Sequence, residues 1–273
     1  MAEDKVKRFV SIVYTETEGI KLQRRDKREP DRDWKEIAQK RIQSIVRRRF
    51  KRQKAAILDW VQRQAVYTKA PIPPDDLFED EEWDIEDEAA MMHIILWEMG
   101  KGAERFSSSI GMTFDTSGIN VRAAKFARTY LTKWLADLDR TSREIVRNAL
   151  ALFVETPGMT IGDLVKMLPF NEERALRIAV TETTRIYAKG QMIAAQELKE
   201  QYPDVRIIKT WFTDNDDKVC EICGPLHGMT IDVDEPFYDI EDDLYQDGNP
   251  PAHVNCRCWI ETSTDILGHR ERP

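Results

Sequence analysis

The sequence predicts an α+β protein, largely α-helical over its N-terminal two-thirds and closing with a small β-rich C-terminal unit held by a cysteine staple. Three observations carry this. Apolar residues recur at spacings of three and four through most of the first two hundred positions. After Pro203 the character changes to VRIIKTWFT, rich in β-branched and aromatic side chains. All four cysteines, Cys220, Cys223, Cys256 and Cys258, then fall in one window of 39 residues, with His253 beside the second pair.

The first helix follows Asp31 or Asp33, either of which can cap it. Its apolar positions are Trp34, Ile37, Ala38, Ile42, Ile45, Val46, Phe50, Ile57, Leu58 and Val61, with neither Gly nor Pro before Pro71. It is one long basic helix, or two with a break near Arg47–Arg49, and PIPP at Pro71–Pro74 stops it. Ala89–Met99 reads as a second helix that Gly100 and Gly102 end or interrupt, and Phe106–Asn120 as a loop. Val121–Leu138 and Ser142–Glu155 read as two further helices. A turn at Thr156–Gly158 leads to a short helix opening on Thr160, with Asp163 at the capping-box distance. Asn171 then caps a long helix beginning EERALRIAVTETTRIYAKGQ. VRIIKTWFT and CRCWIETST read as strands. The domain organisation predicted is a weakly ordered arm over 1–30, a helical region over 31–155 and a C-terminal domain over 156–273, the first 150 residues behaving separately from the rest.

With 273 residues the chain can bury a sizeable core in one domain or two. Its net charge of −8 hides an asymmetry. Lys21–Lys54 is basic and includes RRRFKRQK; Asp75–Glu88 is densely acidic; Asp214–Asp247 is acidic again, with Lys218 its only Lys or Arg. The N-terminus lacks the apolar core and cleavage site of a signal peptide, and no segment approaches the roughly 18 apolar residues that span a bilayer. These features predict a reducing cytosol, where clustered cysteines are metal ligands or redox groups rather than disulfides.

Cys-x-x-Cys followed by Gly224 and Pro225 suits a tight turn on which two thiolates converge on one ion. His253 and Cys256 repeat the i, i+3 spacing, and Cys258 lies two beyond, on the same face of a strand. Five residues thus compete for four places on a structural zinc: Cys220, Cys223 and Cys256, with His253 or Cys258 as the fourth. Packed free thiols and disulfides are the competing readings. His227 reads as a turn residue, and nothing nearby resembles a His–Glu constellation with an open coordination position.

The order of these segments resembles the phage Mu F-like family of minor head proteins, also called phage head morphogenesis proteins. An Ala-x-Thr-Glu helix is matched by Ala179, Thr181 and Glu182; Trp-x-x-x-x-Asp leading to Cys-x-x-Cys by Trp211, Asp216, Cys220 and Cys223; and Pro-Pro-x-His-x-x-Cys-Arg-Cys by Pro250, Pro251, His253, Cys256, Arg257 and Cys258. Val254 stands where many members have proline. The resemblance covers about Thr160 to Thr262, well under half of the chain, and the first 150 residues match no motif. It implies a virion component, in the phage head interior or at the portal vertex, made in the host cytoplasm and partnered with portal and other head proteins. It implies help in head assembly, with some members affecting DNA packaging or ejection, and no enzymatic activity. Some relatives carry an added toxin or ADP-ribosyltransferase domain; with eleven residues after Thr262, none is expected here.

Two runner-up functions stay open on sequence: a nuclease or transferase built on a zinc-stapled domain, and a nucleic-acid-binding protein. The second would use Arg47, Arg48, Arg49, Lys51, Arg52 and Lys54, which crowd about two helical turns. The same residues could pair with the acidic run at Asp75–Glu88, or dock on an acidic face of a head protein. Thr181 and Glu182, polar on an apolar helix face, read as a buried hydrogen-bonding pair that fixes the helix against the strand unit rather than as catalytic groups.

Overall fold

A computed structural model describes residues 31–64, 83–112, 114–156, 158–214, 216–238 and 247–264. The predicted arm at 1–30 and positions 75–82 of the acidic run lie outside them. Among the described residues, five helices precede three short strands: α1 (Arg32–Gln64), α2 (Ile85–Ile110), α3 (Ser117–Glu155), α4 (Ile161–Met167), α5 (Glu172–Gln201), β1 (Ile207–Phe212), β2 (Thr230–Asp232) and β3 (Trp259–Thr264). The protein is α+β, mostly helical, with one small antiparallel sheet near the C-terminus.

Several expected boundaries are corrected. α1 runs unbroken through Arg47–Arg49. α2 does not stop at Gly100 or Gly102 but continues to Ile110, and the expected loop over Phe106–Asn120 shrinks to the residues between Ile110 and Ser117. The two helices expected over 121–155 are one, α3. Gly102, with Gly190 opposite, explains why α2 continues; a Cβ on Gly100 would meet nothing within 4 Å. A Cβ on Gly102 would stand 2.2 Å from the Tyr187 carbonyl oxygen, and one on Gly190 would stand 2.2 Å from the Met99 carbonyl oxygen and 2.7 Å from its Cα. They therefore mark a close crossing of α2 and α5, where backbone meets backbone, and not a helix end. Gly190→Ala is expected to cost about 2–3 kcal/mol or more, because neither obstructing atom belongs to a side chain that can swing away. Denaturant unfolding measures this, and a midpoint unchanged from wild type would refute the close-crossing reading.

Other expectations hold in detail. Thr160 caps α4 with both halves of a capping box: its Oγ1 accepts from the Asp163 amide and the Asp163 carboxylate accepts from the Thr160 amide. Asn171 Oδ1 accepts from the Arg174 amide at 2.8 Å at the start of α5.

The described residues form two compact units, one drawn from within 40–64, 83–94 and 127–179, the other from within 31–39, 95–126 and 180–264. In the first, Ile57, Val146, Leu150, Leu164 and Leu168 are buried together. Here the basic stretch of α1 meets acids. Arg48 and Arg52 pair with Asp87, Arg52 also approaches Asp84, and Arg47 pairs with Glu172 at 2.7 Å. Arg49 is fully buried and grips Asp139 with two nitrogens, at 3.1 and 2.8 Å, while Gln53 and Trp83 donate to the same carboxylate.

The second unit holds the sheet, in the order β2-β1-β3, with both pairings antiparallel. The period of two along β1 turns Ile207, Lys209 and Trp211 inward. Trp211 is fully buried, edge-on to Phe237 and Tyr238, in a small core that also contains Leu226, Ile260, Cys223, Cys256 and Cys258. Among the described residues, strand content is smaller than the β-rich reading of the C-terminus suggests, because much of this unit is turns around the cysteines.

Candidate metal centre

Two loops carry the centre. The first is a turn after β1, in which the Gly224 amide donates to the Cys220 carbonyl at 2.9 Å and the Cys223 amide approaches the Cys220 sulfur at 3.4 Å. The fold-back brings Cys220 and Cys223 to one side, as two thiolates sharing an ion require. The second loop, leading into β3, reverses at His253–Cys256, where the Cys256 amide donates to the His253 carbonyl at 3.2 Å. Asn255 makes this possible by adopting a left-handed conformation, φ 66°, which Asn tolerates better than most residues.

All five residues singled out from sequence are brought together. Cys220, Cys223 and His253 form one group, and Cys223, Cys256 and Cys258 another, the ligand atoms within each lying no more than 4.8 Å apart. Cys223 is common to both. His253 Nε2 lies 3.1 Å from the Cys220 sulfur and 3.2 Å from the Cys223 sulfur, and the Cys223 and Cys256 sulfurs are 3.8 Å apart. Two sulfurs each about 2.3 Å from a tetrahedral ion are separated by about 3.8 Å. The donor set therefore fits a thiolate-rich tetrahedral ion. Cys256 and Cys258 precede β3 and are not on it, yet both reach Cys223.

The surroundings prepare the donors. His253 Nδ1 is 2.8 Å from the Val254 carbonyl, which can only accept, so the proton sits on Nδ1 and Nε2 keeps its lone pair toward the sulfurs. Hydrogen bonds from Cys223 and Cys258 hold the Cys256 thiol well below its ordinary range, while the same contact with Cys256 pushes Cys223 up. Thiols this close share one negative charge; several become thiolates together only against a cation. No disulfide joins any of the four, and His227 is committed elsewhere, its Nδ1 accepting from the Thr213 amide at 3.1 Å.

Helix α5 pins the second loop, and here the Thr–Glu motif acquires a physical role. Thr181 Oγ1 accepts from the Asn255 amide at 2.7 Å, and the Thr184 hydroxyl donates to the Cys256 carbonyl at 3.0 Å. Glu182 pairs with Arg185 at 2.7 Å; burial pushes its carboxyl above the ordinary range, and Arg185 opposes the shift. Thr184 was not singled out from sequence; its i, i+3 relation to Thr181, on one helix face, is the signal that could have found it. Arg257, inside the closing motif, forks to Asp214 at 2.7 Å and to both oxygens of Asp216 at 2.8 and 3.0 Å. The motif positions Asp216 and Arg257 thus tie the end of β1 to the cysteine loop. Thr181→Val is expected to leave metal stoichiometry intact but weaken affinity about 10–100-fold, as loss of an outer-shell contact does. Competition with a chromophoric chelator reads this, and unchanged affinity would show that α5 does not position the loop.

The fold and this site define a class: an α+β unit in which a long helix braces a small sheet and a Cys/His centre of metal-binding geometry. Residues 156–261, under half of the chain, match the family model described as Phage Mu protein F like protein, and the motifs from Ala179 to Cys258 that resemble this family all lie within the match. No significant match is found among curated proteins or among solved structures.

Proposed function

We propose that the protein is a minor capsid, or head morphogenesis, protein of a tailed phage or prophage, associated with the portal and assisting head assembly and DNA packaging or ejection. The observation that carries this reading is the Mu F-like match over 156–261, which spans the Thr–Glu helix and both cysteine pairs. In this reading the C-terminal unit serves as a structural building block and not as an enzyme. A structural zinc is held by Cys220, Cys223 and Cys256, with His253 or Cys258 as the fourth ligand. When bound, it supplies a cross-link between two loops that share only a small apolar core. The donor geometry supports that assignment.

The basic stretch of α1 is assigned to protein contacts rather than to DNA. Arg47, Arg48, Arg49 and Arg52 already meet Glu172, Asp87, Asp139 and Asp84, which lowers the charge that phosphates would find. Among the described residues no helix is long and apolar enough to cross a membrane.

The test is deletion of the gene from its parent phage or prophage, followed by electron microscopy and protein analysis of purified particles. The expected result is defective or missing DNA-filled heads, and a few copies of the protein in wild-type particles. Normal, infectious particles that lack the protein would overturn the reading.

A further inference from the structure

Lys209 occupies an inward position of β1, between Ile207 and Trp211, and is 2% exposed. Its Nζ donates to Asn249 Oδ1 at 2.8 Å and lies 5.2 Å from the centre of the Phe237 ring. Asn249 is itself buried, its backbone carbonyl accepting from the Tyr238 hydroxyl at 2.9 Å. On the other side, Asp247 Oδ1 accepts from Asn249 Nδ2 at 3.1 Å and from the Asn249 amide at 3.2 Å. Lys189 stands 3.3 Å from the other Asp247 oxygen. A primary amine, a carboxamide and a carboxylate are thus joined by successive hydrogen bonds, the first two buried and the amine beside an aromatic ring.

An ammonium buried on the core face of a strand is costly unless it is fully paired or loses its charge. Desolvation lowers the Lys209 pKa to about 8, although Asp247, Asp234, Asp232 and Glu235 pull the other way. About a tenth of the amine is then neutral near pH 7, with its lone pair available. The carboxamide carbon is the electrophile next to it, since the hydrogen-bonded Oδ1 is one bond from Cγ.

We propose that Lys209 and Asn249 become joined by an intramolecular isopeptide bond. The neutral Nζ attacks Asn249 Cγ, forming a C–N bond and a tetrahedral intermediate. The proton that Nζ sheds passes by way of the Asp247 carboxylate to Nδ2. The Cγ–Nδ2 bond breaks and Nδ2 departs as ammonia. The products are a secondary amide and one ammonia, with no change of oxidation state and no co-reactant. Confinement of two uncharged groups at hydrogen-bond distance supplies the high effective concentration such a step needs. The product removes the buried charge. It also ties the centre of β1 to a residue 40 positions later, restricting the unfolded chain in the manner of a disulfide but without a redox requirement.

The inference is independent of the metal assignment, and its test is made on denatured protein. The purified full-length chain is weighed intact by mass spectrometry under denaturing conditions, beside Lys209→Arg, and both are digested. The wild type is expected to be lighter than its sequence by one ammonia and to yield a branched peptide containing both Lys209 and Asn249, with Lys209→Arg at its full sequence mass. A wild-type chain at full sequence mass would overturn the proposal, and it requires no variant to fold. So would an ammonia deficit that persists in Lys209→Arg, since that places the loss at another residue.

Discussion

Replacing Cys223 by serine is expected to abolish metal retention and to unfold, or nearly unfold, the C-terminal unit. Cys223 belongs to both ligand groups and is buried in the core with Trp211, Leu226 and Ile260. Four donors remain without it, but only as two separate pairs, Cys220 with His253 and Cys256 with Cys258, since Cys223 is the member common to both groups. Structural zinc contributes about 10–16 kcal/mol in small metal-dependent modules, so losing even part of it exceeds the stability of most domains. Wild-type protein purified without added metal should carry about one zinc per chain by elemental analysis, and the variant none. Thermal unfolding of the variant should lose its upper transition. Comparing His253→Ala with Cys258→Ser then identifies the fourth ligand, because only one of them should release the ion. A wild-type chain without zinc, whose four thiols react readily in the native state, would eliminate the metal centre. The dependence on pH has a definite sign. Thiolate ligands must be deprotonated, so retention should be complete near neutrality and fall as acid protonates the sulfurs.

The second large effect is expected at Asp139. Its carboxylate receives Arg49 through two nitrogens, Gln53 at 2.7 Å and the Trp83 indole at 2.9 Å. Asp139→Ala would leave the Arg49 guanidinium, which is fully buried and lies 5.0 Å from the Trp83 ring centre, without its main counter-charge. Breaking one side of a buried pair costs about 3–5 kcal/mol, most of it the stranded charge rather than the lost attraction. Replacing both groups, as in Arg49→Met with Asp139→Leu, should recover much of the loss. Chemical denaturation of the single and double variants separates the two contributions. A single-variant cost below about 1 kcal/mol would mean that water reaches the guanidinium and that the pair is effectively at the surface.

Local signals were legible where they act locally. The Thr160–Asp163 box and the Asn171 cap are settled within four residues, by side chains that reach only their own helix start. The spacing of the cysteines was legible for the same reason: a Cys-x-x-Cys turn converges its thiols whatever lies around it. Local reading failed at Gly102 and Phe106–Ile110, because there a residue's conformation answers to a neighbour far along the chain. Intrinsic propensity puts Gly at about 1 kcal/mol against helix, a cost that close packing of α2 on α5 at Gly102 and Gly190 overrides. The basic stretch was ambiguous in sequence between nucleic acid, a partner protein and the chain's own acids. Arg49 shows why. Its counter-charge, Asp139, lies 90 residues away and outside the acidic run that composition singles out.

The sequence by itself determined that this is a mostly helical chain with a Cys/His unit toward its C-terminus, and that this unit resembles the Mu F-like family, since periodicity, caps and ligand spacing are short-range properties. Only the tertiary structure decided that Thr181 and Thr184 brace the ligand loop, and that Arg257 clamps Asp214 and Asp216. It alone set Lys209 against Asn249. Each of these contacts joins segments tens of residues apart, and a hydrogen bond or ion pair of about 3 Å is specified by how helices and strands pack, which no single segment encodes.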